Sequence, residues 1–513
     1  MLRASSRVSL ILFVATLAGA AAAQTEGAAA AKTEGAAAPP AGSAASAPPW
    51  ALPPPGSSCN PPGGLAGWPP GEDAAGVPFQ MGDTFQLSRL ETLKNFLPPE
   101  LWAYRERFFH EGMRLEIGAC FADYGPPEFY RAASETFRDR ARLLPNGGIE
   151  NYTAGQPFPM LEIAPEDPAA GAKWAWNAAL RYQGAGFWAP FRTIDMVGRN
   201  GTGEPFVGEM FKAQLSFRAD LPNDGYTSRD AQGNYWVAGG RLDEPFDARF
   251  HAWRQYRDTA ALKKPELSDD LHAYLPNYRR VRRVSANDVE GVYMPSFSVG
   301  VVQSSTIAGL GGGLDGGAAG GAAAGAAASS ITTKRSGFEV LETRPLLYDF
   351  RLIGAKDVLT PINAARPSYP EVKDRDFGPW GLSFATDRWD LRRAVVIEGR
   401  SKGHAGGSQV ARFVLYIDAQ TAMPLYYMSF DSRDERIDVG MFVGRWSEGR
   451  SDYRPWPGNP KLPIRVIDSV GESFANIAED GGWRRESWTI VSTPPDDKTL
   501  KRELSVSNLA KEH

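Results

Sequence analysis

The sequence predicts an α+β fold, in which a helical N-terminal part precedes a large antiparallel β-sheet. Three observations predict it. Apolar residues recur at helical spacing from Gly82 to about residue 190. Beyond that point, short apolar and aromatic runs are separated by Gly, Asp, Asn and Pro, the punctuation of strands and turns. Of the 513 residues, 42% are hydrophobic and 11% aromatic, ample for a large core. Strands consecutive in sequence usually pair, so the C-terminal part reads as an antiparallel meander with helices against one side.

Ahead of the fold, Arg3 and Arg7 precede the apolar run VSLILFVATLAGA, and AAA stands before Gln24. That is the pattern of a secretory signal peptide over residues 1–23, and the run is short for a membrane span. From Gln24 to about Pro70 the chain is Ala, Gly, Pro and Ser, with TEGAAA at Thr25 and again at Thr33. Such a segment buries too little to offset its ordering entropy, so residues 24–74 are expected to form a disordered tether. The remaining residues, 75–513, would by length alone permit two or three domains. The two cysteines, Cys59 and Cys120, either form one disulfide, which export permits, or remain two thiols.

Within the domain, Pro98 and Pro99 stop one helix and start the next, where Leu101, Tyr104, Arg105 and Phe108 share a side. PPEFYRAASETFRDRARLL predicts a further helix with Phe129, Ala133 and Phe137 on one face. DPAAGAKWAWNAALRYQG predicts another, with Trp174, Ala178 and Arg181 together and Trp176 and Leu180 on a second side. Strands are expected at FVGEMFKAQLSFRAD, NYWVAGGRL, GFEVLETRPLLYDFRLIGA, RRAVVIEG, ARFVLYID, PLYYMSFD, RIDVGMFVGRW, IRVIDSVGESF and RRESWTIVS. A flexible Gly/Ala-rich loop interrupts them at about 304–335. Alternation places Val395 and Ile397, Phe413 and Leu415, Tyr426 and Met428, and Val439 and Met441 each on one side of their strand.

Most motifs have plain structural readings. GRSKG, Gly399 to Gly403, fits the pattern of a hydrolase nucleophile elbow, but a second strand rather than a helix follows it, so a hairpin is expected. The five histidines (His110, His251, His272, His404, His513) lack paired metal-ligand spacing, so no His/Cys metal site and no cofactor is expected. A calcium site of scattered carboxylates stays open. Asp418 and Asp431 stand where hairpins want a side chain that bonds its own backbone, which favours turn former over catalyst. YRRVRRV is the one dense basic cluster. Arg279, Arg280, Arg282 and Arg283 form either a solvated edge strand or a landing site for an anionic headgroup or acidic partner. The net charge of −4 and pI of 5.9 exclude a nucleic-acid match for the whole chain.

The ordered segments NYTAGQPFP, AGAKWAWN, YRRVRRV, DFRLIGAKDVLTPIN and RWDLRRAVVIEG…ARFVLYIDAQTAMPLYYMSFD resemble an exported bacterial family, domain-of-unknown-function family 1329, whose members are described as outer-membrane lipoprotein-sorting-like. The resemblance covers the chain from about Gly82 onward, which implies a single domain over 75–513. It implies a fold similar to the LolA and LolB carriers: a large curved antiparallel sheet, an incomplete barrel, with helices covering its concave side. It also implies a periplasmic location in a Gram-negative envelope and association with RND-type exporters, and it carries no catalytic residues. The expected function is a binding or carrier protein for a hydrophobic ligand such as lipid or lipid-modified cargo, with peripheral membrane contact. The expected cavity lining is Val395, Ile397, Phe413, Leu415, Tyr426, Met428, Val439, Met441 and Trp174. The alternatives are a carboxylate-dependent envelope hydrolase, with two acids facing across a cleft, or a non-catalytic interaction module of an exporter.

Overall fold

Proline again sets the first boundary: a 3-10 stretch, Leu87–Phe96, ends ahead of Pro98 and Pro99, and α1 (Pro99–Ala103) and α2 (Arg105–Phe108) follow it. The computed structural model describes Cys59 and residues 76–221, 233–284, 291–294, 296–297, 331–332, 342–365, 375–403, 410–478 and 480–511. The expected signal peptide (1–23), the expected tether (24–74) apart from Cys59, nearly all of the Gly/Ala-rich segment, His404 and His513 lie outside the described residues.

Strands β1 (Thr84–Phe85) and β2 (Leu115–Cys120) bracket α1 and α2. Next come α3 (Glu128–Thr136), a small ladder of β3 (Arg142–Leu143) and β4 (Ile149–Glu150), and α4 (Ala170–Ala179). A first meander runs through β5 (Gly186–Val197), β6 (Thr202–Gln214), β7 (Asn234–Glu244), β8 (Ala252–Asp258), β9 (Asp270–Leu275) and β10 (Arg280–Val284). A second separate ladder pairs β11 (Ser296–Phe297) with β12 (Ile331–Thr332). The second meander is β13 (Tyr348–Thr360), β14 (Arg388–Ser401), β15 (Arg412–Asp418), β16 (Pro424–Phe430), β17 (Arg436–Trp446), β18 (Ile467–Asn476) and β19 (Gly481–Ser487). Helix α5 (Asp497–Glu503) comes after it.

The meanders join where β19 pairs with β5, giving one mixed sheet of 15 strands that does not close into a barrel. Every ladder in it is antiparallel except β2 with β14. Leu391 pairs with Leu359 of β13 on one side and Cys120 of β2 on the other, so β2 continues the line of β15 and β13 is a sheet edge. The other edge is β10. The fold is an open, curved α+β sheet.

Several elements differ from the sequence expectation. Of GFEVLETRPLLYDFRLIGA, the described part from Glu342 onward becomes strand at Tyr348, because Pro345 opens a 3-10 turn, Pro345–Leu347. RRESWTIVS is continuous strand only as far as Ser487, with one isolated bridge beyond it between Val491 and Trp188. The pattern did not mark β2, β5, β8 or β9 as strands; its first marked strand opens at Phe206, although β5 begins at Gly186 with Pro190 inside it. Ser401 of GRSKG ends β14 opposite Tyr348, consistent with the hairpin reading.

Helix α4 shows how the sheet curls. It is ten residues, about 15 Å long. It lies against β13 and β14, yet its Trp176 and Ala179 also share a small cleft with Tyr235 of β7 and Arg257 of β8. On a flat sheet, ten strand spacings of about 4.8 Å would separate β13 from β8. The sheet therefore wraps around α4, and the face toward the helix is concave. Gly171 lets α4 seat closely: a Cβ there would stand 2.8 Å from the backbone of Arg351 in β13.

Candidate functional site

Strand register decides which side chains share the inner face. Directly paired residues point the same way. Ile397 pairs with Leu415, and Leu415 with Tyr427. Tyr427 pairs with Gly440, Gly440 with Phe474, and Phe474 with Trp483. On through β5, β6 and β7 the same face carries Arg485, Lys212, Trp236 and Arg257.

This face has two halves. The first is aromatic: Tyr348 and Phe350 contact Phe413, Phe413 contacts Tyr427, Tyr427 contacts Phe474, and Phe474 stacks on Trp483, with ring centroids 4.9 to 6.3 Å apart. The second is charged and equally buried. Arg485 Nε donates to Glu472 at 2.8 Å, and Arg257 donates to both oxygens of Asp269 at 2.9 Å. Lys212 pairs with Glu342, which also accepts from Gln183 Nε2 at 2.6 Å. Burial pushes the Lys212 ammonium down to about 8 against the pull of Glu342. Burial also opposes ionisation of Glu342, but Lys212 and then Arg181 outweigh it and hold the carboxyl below its ordinary value.

At one end of the concave side, the turn after α4 meets the β15–β16 hairpin in a two-lobed cleft. Arg181, Met423, Val466 and Ile467 line both lobes. Tyr130, Tyr182, Gln156, Gln420 and Arg465 are among the further residues of the first, of about 30 Å³, and Gln183, Phe187, Asp468 and Ser469 among those of the second, of about 40 Å³. Each lobe holds a few waters or a small polar group, not an acyl chain. The turn is held by Gly186, at φ 114°, whose missing Cβ leaves room for the carbonyl of Lys212. Asp418 fixes the opposite wall. Its carboxylate accepts from the Gln420 and Thr421 amides at 3.1 and 2.8 Å and from Arg392 Nε at 2.7 Å. Asp431 closes the far end of β16 by accepting from the Arg433 and Glu435 amides, both at 2.8 Å. Asp418 thus forms its turn, as the hairpin placement suggested, and in addition anchors a buried arginine.

Asp468 is the only carboxylate among the described residues lining the two lobes. Burial pushes it up to about 6, against hydrogen bonds from the Ser492 and Tyr453 hydroxyls. A two-acid hydrolase places a second carboxyl across its cleft; here Arg181 and Arg465 stand near instead.

The structure distributes the sequence-selected lining residues over both faces. Val395, Ile397, Phe413 and Leu415 are on the inner face, whereas Tyr426 and Met428 pair with Tyr416 and Val414 on the outer one, and with Met441 and Val439 beyond them. They do not line one cavity together, because alternation fixes sides within a strand and only register relates one strand to the next. Glu100 of α1 reaches Tyr416 at 3.5 Å, so a helix covers part of the outer face too. All eight, and Trp174 on α4, are fully or almost fully buried in the main core, and none lines the cleft. Arg279, Arg280, Arg282 and Arg283 are exposed at edge strand β10, with Arg283 on Asp270 at 2.7 Å and Arg282 over the Tyr278 ring. Cys59 and Cys120 are joined in a disulfide. Lys212, Glu342 and Asp468 were not anticipated. Lys212 had a signal, since it shares a strand side with Phe206 and Met210, an inward position for a cation.

The family model described as protein of unknown function, DUF1329, matches residues 90–299 and 325–442, more than half of the chain. The chain belongs to this family. The DUF1329 match ends within β17, so β18 and β19, which join the two meanders, lie beyond it. No curated protein matches the chain. Among solved structures, a DUF1329 family protein from Desulfovibrio piger is 14% identical, with a TM-score of 0.38 over 67% of this chain and 99% of that one. A domain assigned to outer membrane lipoprotein sorting from Vibrio parahaemolyticus is 12% identical, with a TM-score of 0.37 over 67% and 100%. A LolA superfamily protein from Nitrosomonas europaea is 8% identical, with a TM-score of 0.29 over 63% and 92%. None of the three carries the functional argument below.

Proposed function

We propose that this DUF1329 chain is an envelope binding or carrier protein for an amphiphile, an acyl or polycyclic body with a polar or anionic head. The observation that carries the reading is the division of the concave face into an aromatic half and a half of buried ion pairs. The aromatic half, with Phe413, Leu415, Val395 and Ile397, suits the apolar body. The charged half and Arg181 suit the head. Sheltering a long chain from water is worth about 0.8 kcal/mol per methylene, on the order of 10 kcal/mol in all. Mechanistically, α4 shifts off β13, the body replaces its contacts with the aromatic row, and delivery follows where a partner holds the ligand more tightly. The expected setting is the periplasm, and the family resemblance suggests an RND-type exporter as the partner.

Extraction of the purified chain and mass spectrometry are expected to yield bound lipid, and the stripped protein is expected to take up a fluorescent fatty acid with enhanced emission. A preparation free of lipid that takes up no probe contradicts carriage.

A further inference from the structure

Among the described residues, Phe246 (86% exposed), Val197 (74%) and Tyr278 (60%) are the most exposed large apolar side chains. Their positions in the fold are related. Val197 ends β5 at the β5–β6 hairpin, Phe246 lies in the β7–β8 turn, and Tyr278 lies in the β9–β10 turn. These six strands are consecutive antiparallel neighbours, so the three turns emerge at one end of the sheet. The cleft opens elsewhere, at the end that holds the β15–β16 turn. Isolated exposed apolar residues need no explanation, but three at successive hairpin tips form a row.

The same tips are cationic. Arg199 follows Val197, Arg249 follows Phe246, and Arg279, Arg280 and Arg282 follow Tyr278, all exposed. The exposed acids beside them are Glu244 and Asp247 in the β7–β8 turn and Asp480 next to Gly198, the last paired with Arg107 at 2.7 Å. The chain as a whole carries a net charge of −4, so this rim opposes the overall sign. No helix among the described residues is long and apolar enough to cross a membrane.

We infer that this rim docks on the surface of an anionic bilayer. Phe246, Val197 and Tyr278 enter the headgroup–acyl boundary while the arginines meet lipid phosphates. An exposed apolar row with flanking cations is the chemistry of interfacial binding, in which modest apolar insertion and attraction to anionic lipid act together. A bilayer also accepts separate protruding tips without needing a matching groove. The inference goes beyond carriage and stands without it, since it concerns the empty protein as much as the loaded one.

The test is co-sedimentation of the purified chain with vesicles of phosphatidylethanolamine and phosphatidylglycerol, and with vesicles of phosphatidylcholine alone. Binding is expected on the anionic vesicles and is expected to weaken as salt is raised. Phe246→Ser is expected to weaken it about ten-fold. Replacing Arg279, Arg280 and Arg282 together by Ser is expected to weaken it about a hundred-fold. All four side chains are exposed, and an unchanged circular-dichroism melt verifies folding. No binding to anionic vesicles, equal binding to both compositions, or binding untouched by both variants overturns the inference; the first leaves an acidic protein surface as the partner.

Discussion

Buried charge at single residues is where this protein departs most from an ordinary core, and Asp468 is the clearest case. Burial raises its carboxyl from 3.8 to about 6. Folded, it keeps a proton that the unfolded chain gives up between about pH 4 and 6. Its contribution to stability therefore falls as pH rises through that window, and the full cost is present above it. Asp468→Asn, which never ionises, is expected to gain on the wild type by about 2–3 kcal/mol as pH rises from about 4 to about 7. Urea unfolding of both proteins at the two pH values measures this, and a difference that stays constant with pH contradicts the assignment. Some of this chemistry was legible beforehand. Asp418 and Asp431 read as turn formers from their hairpin positions, because that role needs only neighbours in sequence. The pairing of Asp418 with Arg392 depends on the β14–β15 register, and that of Lys212 with Glu342 on a tertiary contact between residues far apart in the chain.

Elements were legible where turn chemistry punctuates alternation. The strands from RRAVVIEG to RIDVGMFVGRW appear within a few residues of expectation, with Arg436–Trp446 matched at both ends. Faces were not. The irregularities after Tyr416 and after Met428 are β-bulges or register shifts that the residue pattern does not announce. Even in the regular stretch Leu415 pairs with Tyr427 and Val414 with Met428, so side chains chosen as one lining fall on opposite faces. Helix α4 is the element on which the proposed carriage would depend, and Gly171 seats it closely against the backbone of β13. Gly171→Ala favours a helix by about 0.5–1 kcal/mol in isolation. Here its methyl meets backbone at 2.8 Å, so a net loss of about 1–3 kcal/mol is expected, with faster uptake of a fluorescent fatty acid as α4 loosens. Thermal melts and stopped-flow uptake check both parts, and an unchanged melt with unchanged uptake means that α4 is not the gate.

For the molecule as a whole, the broad class was readable and the closure was not. Strand and turn patterns, with the family resemblance, lead to an open antiparallel sheet with helices against its concave side. That β2 continues the line of β15, and that β19 returns to pair with β5, are long-range pairings with no local signal. They matter, because they bring the aromatic strands of the second meander and the charged strands of the first onto one continuous concave face. The account's central claim is that an amphiphile lies on this face, beneath α4. Its most direct test is photolabelling with a fatty acid carrying a diazirine in the acyl chain, followed by peptide mapping. The account predicts label on the inner-face residues of β15, β16, β18 and β19 around Phe413, Tyr427, Phe474 and Trp483. Label confined to outer-face positions such as Met428 and Met441, or no specific label at all, would contradict it.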